Sequence, residues 1–199
     1  MRHQRKGIAV LAVASLALFA AGCNKGPAED ALQAADQALA AAKADVERYL
    51  PGQLPPLDDA MAAARAEFQK GNYTEALEEA QALTRKVEEA VAASTKKKDE
   101  LTAVWAETSA RLPGAVRAIT ARMSALAAAK SLPTGMTREL LLNHQKDLDA
   151  VTRAWNDASA AFQDGDVPRA VRMAGDVEAR ADALAGALGL TAAPGAVAK

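Results

Sequence analysis

The stretches "AEFQKGNYTEALEEA" (66–80) and "AAFQDGDVPRAVRMA" (160–174) decide the fold. Set against each other at an offset of 94 residues, they pair Phe68 with Phe162, Gln69 with Gln163, Gly71 with Gly165, Ala76 with Ala170 and Ala80 with Ala174. Each stretch reads as the end of one helix, a tight turn and the start of the next. Glycine enters left-handed backbone without a steric penalty, so Gly71 and Gly165 mark the turns. Asn72 with Glu75 three residues on has the spacing of a capping box. The phenylalanines pack beside the turns, and the alanines that follow let two helices approach closely.

Working outward, apolar residues recur at spacings of three and four, the mark of helices with one buried face. Before the first turn, Leu54, Leu57, Met61, Ala64 and Phe68 draw one stripe; after it, Ala76, Ala80, Leu83, Val87 and Ala90 draw another. A preceding stripe runs through Leu32, Ala35, Leu39, Ala42, Val46 and Tyr49, and "YLPGQLPP" (49–56) breaks it, because proline cannot continue a helix interior. In the second half the stripes are Leu141, His144, Leu148, Val151, Trp155, Ala158 and Phe162, then Ala170, Ala174, Val177, Ala181 and Leu184. Ser94, Lys97, Leu101, Val104 and Thr108 continue the third stripe in phase, so the segments on either side of Lys96–Lys98 read as one rod, bent or loosened at the lysines. Beyond Pro113 the face continues through Val116, Ile119, Met123 and Leu126, and "SLPTGMT" (131–137) is the next break.

The fold class expected is therefore all-α: an elongated bundle of about six helices in two related three-helix units, an internal repeat. The first unit spans 28–100, the second 101–188, and 189–199 forms a flexible tail. Around the first turn, "F-x-x-G-N-Y-x-x-A" resembles the middle of a tetratricopeptide repeat over about 15 residues, although that family's Trp-x-x-Leu-Gly opening is absent. The first half, from Ala31 to Leu83, resembles a class of alanine-rich bacterial lipoproteins with a helix, a proline-containing loop and a hairpin turning at Gly-Asp/Asn-Tyr. That resemblance implies a fold and a compartment, not an activity.

The N-terminus carries the address. Arg2, Arg5 and Lys6 precede an uncharged apolar run from Gly7 to Ala21, the layout of a signal peptide over 1–22. The small residues Ala20, Ala21 and Gly22 then lead into Cys23, the chain's one cysteine, an ending that resembles the lipobox of bacterial lipoproteins with alanine where leucine is usual. The resemblance implies a diacylglyceryl group on the Cys23 sulfur, cleavage after Gly22 and acylation of the new amino terminus with a palmitate-type chain. Asn24, where related lipoproteins kept on the inner membrane carry aspartate, implies the periplasmic face of the outer membrane. Residues 23–27 are expected to form a short linker that keeps the folded part close to the bilayer.

Composition narrows the function. Cleavage would leave 177 residues (199 less 22) with 21 Lys+Arg (24 less Arg2, Arg5 and Lys6) against 25 Asp+Glu, so no strong basic field is available for nucleic acid. With its one cysteine lipidated, the chain has no intrachain disulfide. His144, the one histidine left after cleavage, lies on an apolar stripe and reads as a core-edge side chain holding one hydrogen bond; Leu141 occupies the position where a Glu-x-x-His metal motif needs glutamate. Asp58-Asp59, Glu78-Glu79 and Glu88-Glu89 read as solvated faces, and so does Lys96–Lys98 beside Asp99-Glu100. Trp105 and Trp155 fall on or beside seams and read as core. No catalytic, cofactor-binding or metal-binding residue stands out. The expectation is a non-enzymatic, membrane-anchored helical scaffold or adaptor for an envelope protein or for a second copy. The alternative is a binding module, chaperone-like, holding an apolar ligand or an unfolded chain between its helices.

Overall fold

A computed structural model describes residues 24–190; the expected signal peptide, Cys23 and the last nine residues lie outside the described residues. The described chain is all-helical. It forms α1 (Lys25–Tyr49), a single 3-10 turn (Pro51–Gln53), α2 (Leu54–Lys70), α3 (Tyr73–Ala128), α4 (Arg138–Gln163) and α5 (Val167–Ala187). These fall into two compact units that divide between Ser94 and Thr95, six residues ahead of the expected boundary.

Five α-helices stand where about six were expected, because α3 runs unbroken for 56 residues. The lysines do not interrupt it: Lys97 Nζ lies 3.8 Å from Glu100 one turn on, and Thr102 Oγ1 donates to the Lys98 carbonyl at 2.8 Å. Pro113 lies inside the helix. It forgoes one backbone hydrogen bond and crowds the preceding turn, a cost of about 3 kcal/mol in an isolated helix. Buried Leu112 and partly buried Val116, both in the same apolar cluster, hold the chain helical on either side of it.

Of the linker expected at 23–27, the described residues from Lys25 on already belong to α1. Pro27 is no obstacle there. The first N–H groups of a helix have no intrahelical partner, so a proline in the first turn loses nothing.

In the first unit, Ala35, Leu39, Ala42 and Val46 of α1 meet Leu57 and Met61 of α2 and Ala80, Leu83, Val87 and Ala90 of α3. The helices α1 and α2 run antiparallel: Arg65 Nη2 donates to Asp36 Oδ1 at 2.7 Å, while Lys43 Nζ lies 3.7 Å from Asp58 Oδ2 nearer the connection. Both pairs are exposed, so they set register more than they add stability. The apolar seam supplies the stability; burying a leucine such as Leu83, 1% exposed, contributes about 1.5–3 kcal/mol.

In the second unit the later part of α3 packs with α4 and α5 around Leu112, Ile119, Met123, Leu126, Leu141, Leu148, Val151, Val177 and Leu184. A second cluster gathers Trp105 with Ala158, Ala161, Ala170 and Ala174 beside the α4–α5 turn. Between Thr95 and Val104 every residue of α3 is exposed except partly buried Leu101. The stripe projected through Lys97 and Val104 is therefore not a seam; Val104 stands 47% exposed while its neighbour Trp105 is buried at 8%.

Candidate functional site

Three places combine shape with chemistry: the start of α1, the two glycine turns, and the grooves beside α4.

At the start of α1, the Asn24 carbonyl accepts from the Ala28 N–H at 2.9 Å, so the residue after Cys23 is already the N-terminal cap position of the helix. Its side chain reaches across the unit, where Nδ2 donates to Thr74 Oγ1 at 2.9 Å. Thr74 is the second residue of α3, just past the α2–α3 turn. Ala28 is fully buried. The chain leaving Cys23 is thereby tied at once to the end of the first unit that carries Gly71.

The two turns share the crossed pair of backbone hydrogen bonds at their glycines. The Gly71 N–H donates to the Phe68 carbonyl at 3.1 Å and the Asn72 N–H to the Glu67 carbonyl at 3.0 Å. Ninety-four positions on, the Gly165 N–H donates to Phe162 at 3.0 Å and the Asp166 N–H to Ala161 at 2.9 Å. This crossed pair of bonds is the Schellman ending of a helix, which needs left-handed backbone at the glycine. Gly71 has φ 86° and Gly165 φ 79°.

The side chains differ. Asp166 caps α5, with Oδ1 accepting from the Arg169 N–H at 3.3 Å. Asn72 instead donates through Nδ2 to Glu67 Oε2 at 2.6 Å, and Lys70 Nζ donates to Glu67 Oε1 at 2.6 Å. The capping box expected from Asn72 and Glu75 does not form, because the Asn72 N–H that would complete it is committed to the Glu67 carbonyl. The hydrogen bonds from Lys70 and Asn72 favour the charged carboxylate and hold the Glu67 carboxyl below its ordinary value; the same bond raises Lys70 above its own.

Beside α4 lie two open grooves, both within the second unit. One, of about 400 Å³, runs between α4 and α5, with Val151 and Leu184 as apolar lining, short Ala150, Ala183 and Ala187, and His144, Asp147 and Arg180 as polar groups. His144 is mostly buried and its Nδ1 lies 3.5 Å from Asp147 Oδ2, within ion-pair range. That Nδ1 is buried without a hydrogen-bond partner, so the single bond expected of a core-edge histidine is not made there. The other groove, of about 330 Å³, lies between the end of α3 and the start of α4 and is lined by Met123, Ala127, Leu141 and Leu142 with Ser124, Arg138 and Gln145. Leu142 is 66% exposed. Arg138 is occupied: its Nη1 and Nη2 donate to the carbonyls of Ala127 and Ala129, closing the open end of α3.

Trp105 stacks in parallel on Trp155 (centroids 5.2 Å apart) and on Phe162 (4.7 Å). The carboxylate pairs singled out in the sequence, and Lys96–Lys98, are exposed. Among the described residues no group of three or more His, Cys, Asp or Glu side chains comes together in a way that would hold a metal ion, and no helix is long and apolar enough to cross a membrane. Sequence reasoning missed Asp147, Arg180 and Leu142. The i, i+3 placement of His144 and Asp147 was legible, but nothing local signals that α5 presents Arg180 to them. Comparisons with protein families, with curated proteins and with solved structures return no match for this chain.

Proposed function

We propose that the protein is a non-enzymatic lipoprotein of the periplasmic face of the outer membrane, anchored through Cys23 and serving as a helical scaffold or adaptor for another envelope protein or a second copy. The two halves are read as copies of one three-helix unit. The observation that carries the proposal is the junction at Asn24. The signal-like segment ends at Gly22, and one residue past Cys23 the chain is already at the cap position of α1, Asn24. The matching hydrogen bonds of the two glycine turns support the reading as a repeat.

For the adaptor role, the supporting feature is the groove flanked by Leu142, an exposed leucine beside apolar lining at the α3–α4 connection. The alternative, a module that holds an apolar ligand or an extended chain, is favoured by the alanine-walled groove between α4 and α5.

The anchor is tested by Cys23→Ala: the variant is expected to accumulate as uncleaved precursor that carries no acyl chain, or to be mislocalised, whereas normal processing and detergent-phase partitioning of the variant refute the reading. The adaptor role is tested by a photo-crosslinking side chain at position 145, on the rim of the same groove, in intact cells. One discrete crosslinked species, lost on Leu142→Lys with folding unchanged, supports it. Crosslinks confined to a position in the α4–α5 groove favour the alternative.

A further inference from the structure

The structure bears on which end of the first unit meets the membrane. Deepening the lipid-anchor reading above, and resting on it, we infer that the α2–α3 turn end of the first unit lies against the lipid headgroups of the leaflet that holds Cys23, while the Pro51–Gln53 end stands away from it.

The argument is one of tether length and position. Cys23 is one peptide bond from Asn24, about 3.8 Å between α-carbons. Asn24 is held on both sides: its carbonyl belongs to the first turn of α1, and its side chain is bonded to Thr74 at 2.9 Å. One residue, Cys23, separates the acyl chains from the folded unit, so the bilayer surface passes close to whatever surrounds Asn24. That surrounding is the α2–α3 turn. The opposite end is set by α1 itself, whose 25 residues rise about 1.5 Å each and so carry Leu50 and the Pro51–Gln53 turn about 37 Å from the anchor.

The chemistry at the anchored end suits an interface. Exposed Lys25 offers an ammonium group at the level of lipid phosphates, while Lys70 is paired with Glu67. Tyr73 is partly buried edge-on against Phe68, with ring centroids 5.1 Å apart, and a tyrosine with one wet edge is the side chain found at headgroup depth. Pro51, Gly52 and Gln53 at the far end are exposed and carry no charge or large apolar group.

The test uses the full chain, processed in cells and purified from membranes. Gln69→Cys, at the anchored end, and Gln53→Cys, at the far end, are each labelled with a bimane; both side chains are exposed, and the acylated sulfur of Cys23 does not react. Each protein is reconstituted into phosphatidylethanolamine–phosphatidylglycerol vesicles doped with a headgroup nitroxide lipid. The intact mass is measured on the same samples. The label at 69 is expected to lose its fluorescence and the label at 53 to keep it. Equal quenching at both sites, stronger quenching at 53, or no quenching at either, on protein whose mass shows the acyl groups, overturns the orientation while leaving the anchor standing. A mass showing unmodified Cys23 overturns the anchor reading and the orientation with it. Glu75→Cys and Gly52→Cys form a second pair should either first variant lose its helical circular dichroism.

Discussion

The turn at Gly71 and the turn at Gly165 have the same backbone and different surroundings. Both glycines are left-handed and both helices end in the same crossed hydrogen bonds. Around Gly71 the side chains are wired to one another at the surface, through Glu67, Lys70 and Asn72. Around Gly165 the neighbouring phenylalanine is drawn inward onto Trp105, and Asp166 turns outward to cap α5. A helix ending is a local property, so one sequence pattern produces it twice. What the ending does for its unit depends on the helix that happens to lie beside it.

The sharpest break of this comparison is in the cores. Trp105→Ala removes the middle of the aromatic stack, and truncations of this kind cost about 3–5 kcal/mol. Leu83→Ala opens the first unit's core at a cost of about 2–5 kcal/mol. Both tryptophans belong to the second unit, so tryptophan fluorescence follows that unit alone. The midpoint of urea unfolding by fluorescence is expected to fall in Trp105→Ala, with Trp155 reporting, and to hold in Leu83→Ala while circular dichroism shows a new early transition. Fluorescence midpoints that fall equally in both would mean that the units unfold as one.

Next come the turns themselves. Gly71→Ala and Gly165→Ala place a side chain in left-handed backbone, which costs about 1–2 kcal/mol. A β-carbon at Gly71 meets nothing within 4 Å, so there the cost is conformational alone. The melting temperature of the affected unit should drop by about 4–8 °C per kcal/mol, with Gly71→Asn losing less because asparagine tolerates this region. Melting at the wild-type temperature in both alanine variants would refute the strained-turn assignment.

Capping separates the two turns at a finer level. Asp166→Ala is expected to cost about 1 kcal/mol by freeing the Arg169 N–H, and Asn72→Ala less, since Asn72 bonds Glu67 and not the helix backbone. Thermal melts of the two variants give the ranking, and the reverse order would refute it.

The smallest effect is one of pH. The Glu67 carboxyl is depressed by its bonds from Lys70 and Asn72, so its contribution is fully present above the ordinary glutamate range and fades as pH falls through its lowered folded-state value. Lys70 is raised, so its share is present below the ordinary lysine range and fades as pH rises through its folded-state value. Glu67→Gln should flatten the acid side of the first unit's stability profile and leave the fluorescence-detected second unit unchanged. An unaltered acid limb would refute it.

How much of this was legible in advance follows from particular residues. Ala76, Ala80, Leu83, Val87 and Ala90 are all buried, as are Ala170, Ala174, Val177, Ala181 and Leu184, because each stripe faces partners along its whole length. The same spacing projected through Lys97 and Val104 did not hold. An ideal helix drifts by about 20° per heptad from a 3.5-residue stripe, and here α3 passes from partners in one unit to partners in the next. At the candidate sites the glycines were legible and the grooves were not, since a groove needs residues from two helices and periodicity speaks for one at a time.

The sequence by itself determined the helical class, the apolar faces and the left-handed turns at Gly71 and Gly165, because propensity, periodicity and glycine's missing side chain act over a few residues. Only the tertiary structure decided that α3 is not loosened at Lys96–Lys98 and continues through Pro113, that Trp105 and not Val104 is buried, and that Asn24 reaches Thr74 across 50 residues of chain. Each of these depends on which helix lies opposite. A proline costs a helix about 3 kcal/mol wherever it stands, and the apolar surface packed on either side of it determines whether the helix continues.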